Sequence, residues 1–551
     1  MVDKKKHAYR ATTMAPSGMI TTPHYLASQA GINVLQNGGN AVEAAIAAAS
    51  TIAVVYPHMN SIGGDNFWLI YNAKTKEVKA LNSSGRSGEE ATIPFYQEQG
   101  YTSIPVRGYL SANTVPGAVA GWDKAYEYAK EHVGSTFSWK DLLQSAISYA
   151  KDGFPVTPSQ EYWTNVNVNM EDNQFRYLQR YDGFKRTFLK SGDSLYKAGE
   201  LMKQPYLATT LEAIAEEGSQ VFYEGELAKK IVADLQVNGG MLTLNDFKNH
   251  HSDWVDPISV DYRGYTAYNL PPNTQGMASL SILNILNNFD VQSIEEGSAE
   301  YYHLLVEVTK QAFADRDKWL TDPDFVDIPL DQLLSKSHGM ELANRIHQQQ
   351  SQVMKKQLDP KGDTVWFGVV DKEGNAVSFI QSIYHDFGSG IIPKDTGVLL
   401  QNRGSFFSLD RDHINCLKPN KRTFHTLNPA MLFNENNPYL VYGTMGGEGQ
   451  PQTQAALVTR IVDYQFDIQA AIEAPRWLYG RTWGASSNNL KIESRVPEKT
   501  IQLLKDAGHD IEVVDEFTDV MGHAGAIAIH PETKMKYGGA DPRGDGAAMG
   551  Y

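Results

Sequence analysis

Apolar and polar positions alternate with two different periods along this chain, and the change of period divides it into helices and strands. In NGGNAVEAAIAAASTIAVV (37–55) the apolar residues run almost unbroken behind Asn40. Asn40 is a good helix N-cap, and Glu43 three residues on completes a capping box, so a buried, alanine-rich helix is predicted. In VYPHMNSIGGDNFWLIYN, Gly63-Gly64 mark a turn and a strand follows from Asn66. Ser298 opens a second helix whose apolar residues Tyr301, Leu304, Leu305, Val308 and Ala312 keep helical spacing. After Arg345 the pattern lapses: HQQQSQVMKKQLDPKGD has no apolar stripe and reads as a loose segment.

Past Thr364 the period becomes that of strands. VWFGVVD, KEGN and AVSFIQSIY read as strand, turn, strand. The first of these strands is apolar on both alternating faces, which predicts a sheet covered on both sides. AMLFNENNPYLVYG and AGAIAIHPETKMKYGGA read as further hairpins. TQAALVTRIVDY and EKTIQLLKDAG between them read as helices. Helices and buried strands in this mixture predict a layered protein of both element types.

Composition narrows the function classes. The 551 residues are 42% hydrophobic and 21% charged, an ordinary globular balance. Lys and Arg number 49 against 64 Asp and Glu, a formal net charge of -15, which disfavours nucleic acid and anionic membranes as partners. Cys416 is the single cysteine, so neither an internal disulfide nor a cysteine-based zinc cage can form. No apolar h-region follows the N-terminal lysines, and Ala41–Val55 is too short to span a bilayer. A cytoplasmic location is the expectation.

The familiar catalytic motifs are missing. There is no HExxH, no Walker loop and no GxSxG. GTMGGEG (443–449) does not fit the dinucleotide fingerprint. Ser194–Lys197 matches SxxK without its companion motifs, and His250-His251 read as solvated. No metal or organic cofactor is implied. A nucleophile that needs no motif fits this absence: a threonine whose own α-amine is its base. A free α-amine titrates at about 7.7–8.0, close to working pH. Thr364 gains such an amine only if the Asp363–Thr364 bond is cut. The loose polar segment before it suits a cuttable junction, and the buried strand after it would hold it rigidly.

NGGNAVEAAIAAA, VVYPHMNSIGGD, VPGAVAGW, NLPPNTQG, EVTKQAFADRDKWLTDPDF, DTVWFGVVDKEGNAVSF, YGTMGGEG, IEAPRW and DPRGDGAAMGY occur in that order. Together they resemble the γ-glutamyltranspeptidase family of N-terminal-nucleophile hydrolases, nearly end to end. The resemblance implies an α+β fold, a four-layer αββα sandwich. It implies a precursor that cleaves itself before Thr364 into a large chain, 1–363, and a small chain, 364–551, held in one fold. Thr364 would attack an amide such as a γ-glutamyl (glutathione-like) bond, and water or an amine acceptor would release the acyl group. Gly446 and Gly447 would shape the oxyanion hole, and Ser382 would assist activation. Arg86 falls where an arginine clamps the substrate carboxylate.

The chain departs from the family in the residues that hold the glutamyl head. Tyr384 stands where Asn is expected, Arg403 where Gln or Glu is, and Phe406 where Asp is. His425 and Thr426 replace two serines. These changes remove the partner of an α-ammonium and add a positive charge, which points to glutaryl-type or β-lactam side-chain amides as alternative substrates. An uncleaved, non-catalytic binding protein is the other alternative. The retention of Asp363, Thr364, Ser382 and the glycine pair speaks against it.

Overall fold

Residues 8–169, 177–348, 363–480 and 489–551 are described in the computed structural model. The loose segment ahead of Thr364 lies mostly outside them.

The capping box forms as the sequence dictates. Asn40 accepts from the backbone N–H groups of Val42 and Glu43, and Glu43 accepts from Asn40 N at 2.9 Å. The helix Ala41–Val55 that follows is buried along its whole length. Ser298 likewise caps the helix Ala299–Trp319.

Fourteen of the described strands form two seven-stranded sheets, each antiparallel throughout. The first runs, edge to edge, Ala547–Gly550, Met19–Thr22, Asp363–Val370, Ala376–Tyr384, Asp65–Asn72, Glu77–Ser83 and Asp253–Val255. The second runs Thr13–Ala15, Lys536–Ala540, Ala524–Ile529, Asn437–Thr444, Ala430–Asn434, Tyr265–Asn269 and Ile258–Tyr262. All three expected hairpins are present, one in the first sheet and two in the second.

The strand Asp363–Val370 shows why its pattern is apolar on both faces. Trp366 and Val370 point into the core between the sheets, with Phe67, Met431, Val441 and Ile527. Val365, Phe367 and Val369 point outward into a core shared with Ala41–Val55, Trp139–Asp152 and Pro205–Glu217. The second sheet is covered by Gly276–Leu286, Ala299–Trp319 and Glu498–Asp506. Helix, sheet, sheet, helix is the αββα sandwich. Each sheet draws strands from both sides of the Asp363–Thr364 junction.

His250 departs from expectation. It stacks on Tyr223, with ring centroids 5.3 Å apart, and burial pushes its pKa down to about 3. His251 is exposed as expected. Among the described residues no helix is long and apolar enough to cross a membrane.

Candidate active site

Thr364 lies at the mouth of its strand, where the ladder is irregular. Asp363 pairs with Tyr384 but Val365 pairs with Gln381, so the partner strand carries an extra residue opposite Thr364. Thr364 is 1% exposed, and its hydroxyl has no hydrogen-bond partner among the described residues. Ser382 sits in the irregular stretch, where its Oγ accepts from Tyr384 N at 2.8 Å. Tyr384 takes a left-handed φ of 81°. A non-glycine residue held so stores about 1–3 kcal/mol of strain, a pattern concentrated at functional sites. Gly64 passes so close that a Cβ there would lie 2.2 Å from Ser382 O, which explains its lack of a side chain.

Gly446 and Gly447 follow directly on the strand Asn437–Thr444 of the facing sheet. The two sheets meet face to face where a Cβ at Gly368 would touch Val441 at 3.1 Å and one at Gly443 would meet Trp366 Nε1 at 2.3 Å. Each step of two residues back along one strand is a step of two forward along the other. Gly446 and Gly447 have φ of 119° and 53°, which a side chain would strain. Neither backbone N–H donates to an acceptor among the described residues. The loop is braced from behind. Gln275 Nε2 donates to Gly447 O at 2.8 Å and to Thr426 O at 2.7 Å. Arg316 in turn donates to Gln275 Oε1 and pairs with Glu448 at 2.7 Å.

Tyr384 leads to the remaining residues. Arg403 is 1% exposed and lies over the Tyr384 ring at 3.9 Å. Its Nη1 donates to Thr426 Oγ1 at 3.2 Å, while Nε and Nη2 meet no acceptor among the described residues. Burial lowers its pKa to about 10, so it stays cationic at neutral pH. Phe406 packs on Tyr384 at 5.6 Å and on Phe424 at 4.5 Å, extending the aromatic cluster away from Arg403.

Asp65, which sequence reasoning passed over, completes the group. It opens the strand beside Ser382 and is fully buried. Its Oδ1 accepts from Gly85 N at 3.0 Å, Gly117 N at 3.1 Å and Gln401 Nε2 at 2.9 Å. Its Oδ2 faces His425 Nε2 at 3.3 Å. Leu427 N donates to His425 Nδ1, so the ring proton sits on Nε2 and is given to Asp65. Burial raises the Asp65 pKa to about 6 against these bonds, and burial holds His425 well below its usual value, neutral. A lone acid ahead of the apolar run NFWLIY was the signal in the sequence.

Arg86 is placed differently from the other candidates. Its Nη2 pairs with Asp253 at 3.2 Å and stands 3.8 Å from Asp324, and Asp253 is shared with Arg422 at 2.5 Å. Nearby carboxylates therefore engage Arg86 Nη2, while its Nη1 meets no partner among the described residues; Arg403 leaves its whole Nε–Nη2 edge open. No trio with metal-ligand geometry surrounds Thr364 among the described residues.

A four-layer sandwich with a buried threonine at the head of a central strand defines a hydrolase of the N-terminal-nucleophile class. The chain belongs to the Gamma-glutamyltranspeptidase family, whose sequence profile matches residues 27–551. It is 49% identical over 534 residues to a glutathione hydrolase-like YwrD proenzyme of Bacillus subtilis, covering 97% of this chain and 98% of that one. It is 43% identical over 541 residues to an oxamate amidohydrolase proenzyme of Klebsiella pneumoniae, covering 98% and 100%. Among solved structures, a cephalosporin acylase from Bacillus halodurans superposes with a TM-score of 0.88 at 35% identity, covering 100% of this chain and 99% of that one.

Proposed function

We propose that the chain is a self-processing amidohydrolase that cleaves monoamides of dicarboxylic acids lacking an α-ammonium, from oxamate-like to glutaryl-type. The observation that carries this reading is Arg403: a buried cation whose Nε–Nη2 edge, the edge that grips a carboxylate with two parallel bonds, has no acceptor among the described residues. A γ-glutamyl head would bring its ammonium beside that guanidinium. The neighbouring carboxylate, Asp65, is already committed to Gly85, Gly117, Gln401 and His425. Phe406 offers nothing polar in its place. A desolvated, unpartnered ammonium there costs several kcal/mol.

Cleavage before Thr364 frees an α-amine, which takes the proton as Oγ attacks the amide carbon. The N–H groups of Gly446 and Gly447 receive the developing oxyanion, and Ser382 orders the turn beside it. The amine product leaves after accepting the proton. Water then opens the acyl-enzyme, with the α-amine again as base.

Turnover of oxamate, glutaryl-p-nitroanilide and γ-glutamyl-p-nitroanilide, compared as kcat/KM on one preparation, tests the substrate reading. Preference for either carboxylate substrate that lacks the ammonium supports it, and faster γ-glutamyl turnover sinks it.

A further inference from the structure

The helices over the second sheet carry three side chains that the chemistry above does not use. Ala299–Trp319 presents His303 and Glu307 one turn apart, on one face of the helix. His509, just after the helix Glu498–Asp506, packs against them. His303 Nδ1 and His509 Nε2 are 2.8 Å apart, and with a Glu307 oxygen the three ligand atoms lie within 4.8 Å of one another. Glu307 and His509 are buried, and His303 is partly exposed. No other such group occurs among the described residues.

We infer that His303, Glu307 and His509 form a binding site for one zinc-type divalent metal ion. Two imidazole nitrogens and one carboxylate oxygen suit zinc, cobalt or nickel rather than calcium or magnesium. Tetrahedral bonds set two donors about 3.3 Å apart, so the rings separate by about half an ångström and the Glu307 oxygen closes in from within 4.8 Å. His303 is partly exposed, so solvent can reach the group and water can complete the coordination. Lys310 opposes the ion. It pairs with Glu307 at 2.7 Å and lies over the Tyr479 ring at 5.1 Å, so the ion shares that carboxylate with an ammonium.

The placement has a consequence. His303 and Glu307 precede Thr364 in the chain, and His509 follows it. A bound ion therefore ties the two products of self-cleavage together across the outer helix layer. The tie rests on the self-cleavage reading, whereas ion binding does not.

Calorimetric titration of metal-stripped protein with zinc chloride, and the visible spectrum with cobalt, test the site. The expected result is one ion per chain, a cobalt spectrum with nitrogen and oxygen donors, and binding weakened roughly tenfold or more in His509→Ala and in Glu307→Gln. Wild-type protein that takes up no ion, or variants that bind as it does, overturns the proposal. Thr364→Ala, which keeps the junction uncut, separates the two readings. Equal affinity in that variant leaves the site standing whatever becomes of the cleavage. In the cut protein, weaker binding in Glu307→Gln of the large chain and in His509→Ala of the small chain alike supports the tie, and dependence on one chain alone removes the tie.

Discussion

On the proposed reading, Arg403 concentrates the specificity in a single guanidinium. Replacing it with methionine keeps much of the packing over Tyr384 but removes the carboxylate-binding edge. Arg403→Met lowers kcat/KM for carboxylate-bearing amides by roughly 100-fold, mainly through KM, while cleavage at Thr364 continues. Steady-state kinetics together with a denaturing gel check both halves of that expectation. Asp65 gives the pH dependence its sign. Its pKa in the fold is about 6 against 3.8 unfolded, so ionising it costs stability as pH rises from about 4 to 6. Asp65→Asn, whose amide oxygen can still accept from Gly85 and Gly117, therefore loses that decline across the window. Urea unfolding at pH 4 and pH 7 measures the difference. In wild type the ionised form holds His425 and balances Arg403, so activity falls below about pH 6, and the asparagine variant loses that inflection.

At the scale of elements, two close approaches carry the design. Gly443 lets one strand of the second sheet lie against the Trp366 ring. Gly443→Ala would overpack that contact and cost about 1–3 kcal/mol of unfolding free energy, measurable by denaturant titration. Gly446→Ala acts on chemistry instead. It displaces a loop held at a φ of 119° and lowers kcat by roughly 100-fold or more, with KM little changed. The elements themselves were largely legible. The capping box at Asn40, the helix after Ser298 and the hairpins after Thr364, Ala430 and Ala524 all follow local rules of period, cap and turn. The irregular pairing of Asp363 with Tyr384 was not legible, because register is set by sheet neighbours that local pattern does not name. The Asp65–His425 contact spans 360 residues of chain, so the lone acid ahead of NFWLIY could not name its partner. Arg86 shows the converse. Its sequence position pointed to the substrate, but Asp253 and Asp324, distant in the chain, engage it.

At the scale of the whole molecule, the junction lies in the middle of the architecture. The central strand Asp363–Val370 is flanked by Met19–Thr22 on one side and Ala376–Tyr384 on the other. Fresh protein run on a denaturing gel is expected to show two bands, the smaller beginning at Thr364 by mass spectrometry, and Thr364→Ala is expected to show one. A wild-type chain that stays single and does not cleave on incubation would return Thr364 to an ordinary strand-opening residue. Because both sheets mix strands from either side of the junction, the products share one core and have no interface along which they could part intact. Cutting one peptide bond thus changes the molecularity of unfolding. The intact precursor unfolds in a first-order equilibrium, whereas the cut protein gives two separate coils for each native molecule. Its melting temperature should rise with protein concentration, as that of an obligate heterodimer does, while that of Thr364→Ala stays constant.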